Sequence, residues 1–248
     1  TGGMSYPATG STGDGYKMAR ALGHTIVPPR PALAPIILED PYIPELEGLS
    51  LRNITLSLMR KNKVLFQELG EMVFTDRGIS GPLALSASSH MKDDAGEYVI
   101  ELDLKPGLDR EKLDKRILRD FDAYANKQYK NALGDLLPAK LIPVFITLSG
   151  IDALRPVHQI TRAERMRLTT LFKEWKLKPS ALAPMEEAIV TSGGVHVKEV
   201  NPATMESKLV RGLYFAGEIL DVDALTGGFN LTIAFATGHA AGMHCLST

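Results

Sequence analysis

Cysteine is almost absent from this chain, with Cys245 the one example in 248 residues. A single thiol excludes an internal disulfide and any multi-cysteine metal site, so redox chemistry here would need a cofactor rather than a thiol pair. An excess of charge is missing too. Lys and Arg number 28 against 29 Asp and Glu, a net charge of −1. That balance gives no electrostatic footprint for nucleic acid, and none is expected as a partner. No apolar run approaches the roughly 20 residues that span a bilayer, so no membrane partner is expected either. The expected setting is cytoplasmic. The six histidines form no metal set; His239 and His244 are five apart and do not share a helix face. No G-x-S-x-G elbow supports hydrolase chemistry. Internal repeats, low-complexity stretches and long like-charge runs are also lacking.

A further absence concerns glycine-rich turns. A dinucleotide-binding unit begins with a strand, a G-x-G-x-x-G turn and a helix, with an acidic residue about 20 positions on. The nearest candidate, Gly10 to Gly15, has the wrong spacing and no apolar strand before it. Gly10, Gly13 and Gly15 with Asp14 read better as a turn that caps the next helix.

What is present is an apolar fraction of 44%, enough to bury a good core in one or two domains. Gly15–Leu22 reads as a short helix. Residues 25–35 carry Pro28, Pro29, Pro31 and Pro35 and cannot form a continuous helix. Short strand-like runs follow at Ile54–Met59, Val64–Leu69, Met72–Thr75 and Tyr98–Leu104, where Ile100, Leu102 and Leu104 share one face. Several short strands between turns suggest a small barrel. From Asp109 the spacing becomes helical, and Leu113, Ile117, Leu118 and Phe121 form a core-facing stripe. Helices are also predicted at Asn126–Leu133, Pro138–Leu148 and Thr161–Lys173, the last with Thr161 and Glu164 as a capping box. Strands are predicted at Trp175–Ala183 and Glu187–Thr191.

The closing segment is the most informative. Leu213-Tyr214-Phe215-Ala216 reads as a buried strand, followed by Gly217-Glu218, then Asp221 and Asp223, then Gly227-Gly228 and a helix rich in small residues. A strand that ends at Gly-Glu and enters a helix through Gly-Gly can offer a carboxylate to sugar hydroxyls and aim helix N–H groups at an electron-rich ligand. The candidates are Gly217, Glu218, Asp221, Gly228, Phe229, Asn230 and Leu231. Taken alone, Glu218 is most simply a solvated carboxylate and Gly-Gly an ordinary turn before a helix.

The order of these residues resembles the last cofactor-contacting motif of flavoproteins with two dinucleotide-binding domains. More narrowly it is similar to the BaiN/YhiN-like FAD-dependent oxidoreductases, which include aminoacetone-oxidase-type members. TGGMSYPATGSTGDGYKMARALGH at the start, GEMVFTDRGISGP at 70–82, VTSGGV at 190–195 and NPATMESKLVRGLYFAGE at 201–218 resemble that family's motifs in order. Asp76 departs from it, standing where the family carries a His.

The resemblance implies an α+β or α/β multidomain, Rossmann-like architecture. Residues 1–35 and 186–248 would belong to the FAD domain. Residues 36–185 would form an insert, with a β-barrel at about 36–105 and 174–185 and a helical subdomain at about 106–173. It also implies that Thr1 and Gly2 end a strand touching the flavin, and that His196, beside the Gly193-Gly194-Val195 turn, is a candidate proton donor. Taken alone, His196 is more simply a solvent-facing strand histidine. The expected function is hydride transfer between FAD and a small organic substrate, with NAD(P)H or O2 as the other electron partner. The chain would be a C-terminal fragment, inactive on its own. An alternative is that the insert works as a binding or lid module.

Overall fold

The computed structural model describes residues 2–92 and 94–245. Its elements run α1 (Asp14–Ala21), β1 (Ile26–Ala32), β2 (Ile36–Leu38), β3 (Ser50–Arg60), β4 (Lys63–Phe74), β5 (Gly78–Ser80), α2 (Pro82–Ser88), β6 (Tyr98–Asp103), α3 (Arg110–Ala123), α4 (Leu141–Ser149), α5 (Arg162–Lys173), β7 (Trp175–Leu177), β8 (Pro179–Leu182), β9 (Val190–Val195) and α6 (Phe229–Cys245). They fall into two compact units. The first takes the chain up to residue 36, residues 84–92 and everything from 182 onward; the second takes 37–83 and 93–181. The predicted insert was a continuous stretch, whereas 84–92 groups with the first unit. Among the described residues no helix is long and apolar enough to cross a membrane.

The second unit is built on a seven-stranded sheet of order β7-β6-β3-β4-β5-β2-β8. Its centre is the long β3–β4 hairpin, turned by Lys61 and Asn62 at positive φ. Two such residues give the primed turn that matches strand twist. Asn53, also at positive φ, makes a bulge between Arg52 and Ile54, which explains why buried Leu51 and Ile54 break the two-residue alternation. The edge strands β7 and β8 are separated in the chain by Lys178 alone, so the sheet has to curl for its two ends to be joined. Strand β6 alternates as predicted, with Tyr98, Ile100 and Leu102 buried.

An aromatic cluster fills this unit. Trp175 stacks at 5.5 Å edge-to-face on Phe145 and at 5.7 Å on Phe74, and its indole N–H donates to the Tyr42 hydroxyl at 3.2 Å. Helix α3 buries Leu113, Ile117 and Phe121, but Leu118 points outward and is 40% exposed, so it leaves the predicted stripe. At 100° per residue Leu118 lies a third of a turn from Ile117, off the buried face. Helix α5 begins with the predicted capping box: the Thr161 hydroxyl accepts from the Glu164 N–H and the Glu164 carboxylate from the Thr161 N–H.

One predicted helix is not found, and one predicted strand is present but divided. Asn126–Leu133 holds only a 3-10 turn at Tyr129–Asn131, because the Tyr129 and Lys130 N–H groups donate to the carbonyls of Arg155 and Ala153 instead of to a helix. Trp175–Ala183 is split at Lys178, whose N–H donates to the Asp40 carboxylate.

In the first unit β1 pairs antiparallel with β9 in a two-stranded sheet. Three prolines fit in β1 because one of its edges carries no partner strand, and Pro28-Pro29 fall where the register shifts. The closeness of the chain to β9 explains VTSGGV: a Cβ at Gly194 would strike the Ile219 carbonyl. A small core joins Tyr16 and Ala19 of α1 to Val195, Phe215, Ile219 and Leu220. The run Leu213–Ala216, predicted as a strand, forms an isolated bridge from Tyr214 to Glu206, flanked by hydrogen bonds from Ser207 N to Leu213 O and from Phe215 N to Met205 O. A strand needs a ladder of partners, and this run meets a neighbour at too few positions to build one. Helix α6 buries none of its residues, and Phe229, Leu231, Phe235 and Met243 are exposed.

Candidate functional site

Glu218 sits in a 3-10 turn, Gly217–Ile219, that follows Ala216. Four contacts fix it. The Thr191 N–H donates to Glu218 Oε1 at 2.5 Å and the Ser5 hydroxyl donates to the same oxygen at 3.0 Å. The Tyr16 hydroxyl donates to the Glu218 carbonyl at 3.2 Å. Burial, reinforced by the Glu218 charge, pushes the Tyr16 phenol up to about 12, so it remains a donor. On the other side the Gly217 N–H donates to Thr237 Oγ1 of α6 at 2.9 Å. Among the described residues nothing donates to Glu218 Oε2.

Glu218 lines a cavity of about 410 Å³. Leu33, Ile189, Val190, Val222, Leu225 and Ile233 supply apolar wall, while Thr226 and Asn230 are further polar residues at its edge. Gly227, Gly228, Asn230 and Leu231 bring the first turn of α6 to it. Helix N-termini carry N–H groups without intrahelical partners, so this end offers donors and partial positive charge. An apolar slot with one aimed carboxylate and a helix N-terminus suits a flat, hydroxyl-bearing, electron-rich ligand.

The structure therefore brings Gly217, Glu218, Gly228, Asn230 and Leu231 together at one cavity. Asn230 is committed elsewhere, since its amide oxygen accepts from Ala224 N at 2.9 Å and its amide nitrogen donates to Ala224 O at 2.8 Å. It clasps the 221–228 loop. Gly2, Asp221 and Phe229 are not among the lining residues; the Asp221 N–H donates to Val195 O, and the Phe229 ring is exposed. Thr1 lies outside the described residues. His196 directly follows β9 and is not among the lining residues. Its Nδ1 is buried without a hydrogen-bond partner among the described residues.

Sequence reasoning passed over Ser5, Thr191 and the apolar wall. Thr191 is fully buried, and its Oγ1 accepts from the N–H groups of Met4 at 2.7 Å and Ser5 at 3.0 Å. Nothing in local spacing signals a contact made across 186 residues. His24 was passed over too. It is buried between Glu199, 3.1 Å from Nδ1, and Ser207, 2.8 Å from Nε2. Ser207 Oγ also accepts from Leu209 and Val210 N–H. The trio lines none of the principal cavities, and its hydrogen bonds join the α1 end to the 199–210 segment. Among the described residues no three His, Cys, Asp or Glu side chains converge as a metal set.

Residues 1–244 match the family model described as HI0933-like protein Rossmann domain. The chain is 32% identical over 240 residues to a ribosomal RNA dihydrouridine synthase of Escherichia coli, covering 97% of this chain and 58% of that protein. It is 32% identical over 245 residues to a protein of the same name from Haemophilus influenzae, covering 98% and 58%. It is also 32% identical over 244 residues to a 3-dehydro-bile acid delta(4,6)-reductase of Clostridium scindens, covering 97% and 59%. The chain thus spans less than two thirds of the length of these relatives.

Proposed function

The chain belongs to the HI0933-like Rossmann-domain family, within the FAD-dependent oxidoreductase superfamily, and from that premise we propose that it forms the flavin-side half of an FAD-dependent reductase. The observation that carries this reading is the Glu218 carboxylate, tied through Oε1, with no donor to Oε2 among the described residues, at the wall of an apolar cavity. In this reading Oε2 accepts a hydrogen bond from a ribityl hydroxyl, a charge-assisted contact. The first turn of α6 stabilises negative charge gathering on the pyrimidine edge of the ring. The apolar wall excludes water. Bound FAD supplies hydride chemistry; the protein holds and tunes it. His196 remains the proposed proton donor; it follows Val195, whose carbonyl accepts from the Asp221 N–H next to cavity-lining Val222.

The pyrophosphate fingerprint would come from the rest of a longer polypeptide. The exposed apolar residues of α6 and the greater length of the relatives support that reading. The chain alone should then hold FAD weakly and be inactive. In this reading the sheet of the second unit is the barrel insert.

The relatives' names supply a substrate class. One names the formation of dihydrouridine and the other the reduction of a 3-dehydro bile acid. Both describe hydrogen added across a carbon–carbon double bond conjugated to a carbonyl. We propose that this protein reduces such a bond, with NAD(P)H as electron source. The net charge of −1 had argued against nucleic acid; the two relatives named for ribosomal RNA make an RNA uracil a second candidate beside a small enone. In the test, the purified full-length protein is examined for the absorption of oxidised flavin, bleached with NAD(P)H without oxygen, and offered a steroid enone or unmodified ribosomal RNA. Recovery of colour with one of them supports the reading and names the class. A colourless protein that takes up no added FAD refutes it.

A further inference from the structure

We infer that Gly3, Ser5 and Thr191 are positioning residues that aim the Glu218 carboxylate, an inference that rests on Glu218 meeting the flavin as proposed above. A glutamate side chain has three torsions, and one ordinary hydrogen bond to solvent would leave it scattered over several rotamers. Here both donors converge on Oε1, Thr191 N–H at 2.5 Å and Ser5 hydroxyl at 3.0 Å, which leaves Oε2 as the oxygen available to a ligand. The donor Ser5 is itself placed: Thr191 Oγ1 accepts from the N–H groups of both Met4 and Ser5. One buried threonine thus supplies a direct donor through its backbone and holds the second donor through its side chain.

Gly3 completes the arrangement by leaving room. Its φ is not in the left-handed region, so backbone conformation does not demand glycine there. Space does: a Cβ on Gly3 would strike Thr191 Oγ1 and lie 2.7 Å from Glu218 Oε1. Thr191 is short, branched and fully buried, so the carboxylate is the group that would have to move. The glycine and serine of TGGMS and the threonine of VTSGG, distant in sequence, thereby serve one oxygen atom of a third motif, FAGE.

The test is a double-mutant cycle on FAD affinity, by titration of FAD into the apo full-length protein. Ser5→Ala should weaken binding about tenfold, the scale of one hydrogen bond to a charged group. Gly3→Ala should weaken it at least as much, and Thr191→Ser, which keeps the acceptor, should bind more tightly than Thr191→Val. In a Glu218→Ala background, Ser5→Ala should cause no further loss, because a residue that acts only through Glu218 has nothing left to position. Equal losses from Ser5→Ala in both backgrounds, or wild-type affinity for both Ser5→Ala and Gly3→Ala, would overturn the inference while leaving the cofactor reading intact. Wild-type affinity for Glu218→Ala would overturn both. Should Ser5→Ala not fold, as judged by circular dichroism, the near-isosteric Thr191→Val is carried through the same cycle with the same criteria.

Discussion

Single residues were legible where a period exposes them and illegible where only the folded chain brings them together. Leu113, Ile117 and Phe121 repeat every four positions, and all three are buried. Leu118, placed in the same stripe at i+5, is exposed, since one step along a helix turns the side chain by 100°. Phe121→Ala should therefore destabilise the protein by roughly 3–5 kcal/mol, while Leu118→Ala should stay within about 0.5 kcal/mol. Urea denaturation of both variants measures the difference; comparable losses would contradict the face assigned to α3. Glu218 stands out in the sequence because Gly-Glu, Gly-Gly and a small-residue helix follow in order, although the strand expected before them does not form. Asn230 was only half legible. Its place at the cavity follows from the helix start, but its bidentate grip on Ala224 depends on a loop whose shape no residue spacing specifies.

Elements with local determinants were read well, and those decided by distant partners were not. The α5 start is set by Thr161 and Glu164, three residues apart, and forms as predicted. Hydrogen bonds from the Thr161 backbone and side chain, then from Arg155, hold the Glu164 carboxyl at about 2 against an ordinary 4.5. A carboxyl held low in the folded state contributes stability that is complete above its unfolded pKa and lost as pH falls through the folded one. The advantage of wild type over Glu164→Gln should thus be present at pH 6, shrink below about pH 4.5 and vanish near pH 2. Denaturant midpoints across that range check it; a difference that persists undiminished at pH 2 would contradict the cap's ionic character. Thr161→Ala should cost about 1 kcal/mol. The misreadings have the opposite origin. Leu213–Ala216 has a strand's composition but too few ladder partners, and Asn126–Leu133 gives its N–H groups to the 153–155 segment. β1, with three prolines in seven residues, became a strand because β9 pairs with it along one edge.

At the scale of the molecule, the sequence reads as a strand-rich stretch and a helical stretch between two motif-bearing ends, and the chain falls into two compact units. That residues 84–92 join the first unit was not legible, since α2 straddles the boundary without a break in its helical composition. The two units should differ in local stability. β3, β4 and β6 are laddered to one another in a continuous sheet, whereas α6 buries none of its residues. Hydrogen exchange should be slowest in those strands and fast in α6, and FAD added to the full-length protein should slow exchange at Gly217–Ile219 and the α6 start. Uniform exchange across both units, or protection confined to the second, would count against the cofactor cavity. The most direct test of the central claim is FAD titration into apo full-length wild type, Glu218→Ala and Glu218→Gln. Loss of a charge-assisted bond should weaken the alanine variant about 10- to 150-fold, with glutamine, which keeps an acceptor, losing less. Equal affinity in all three proteins would contradict the account.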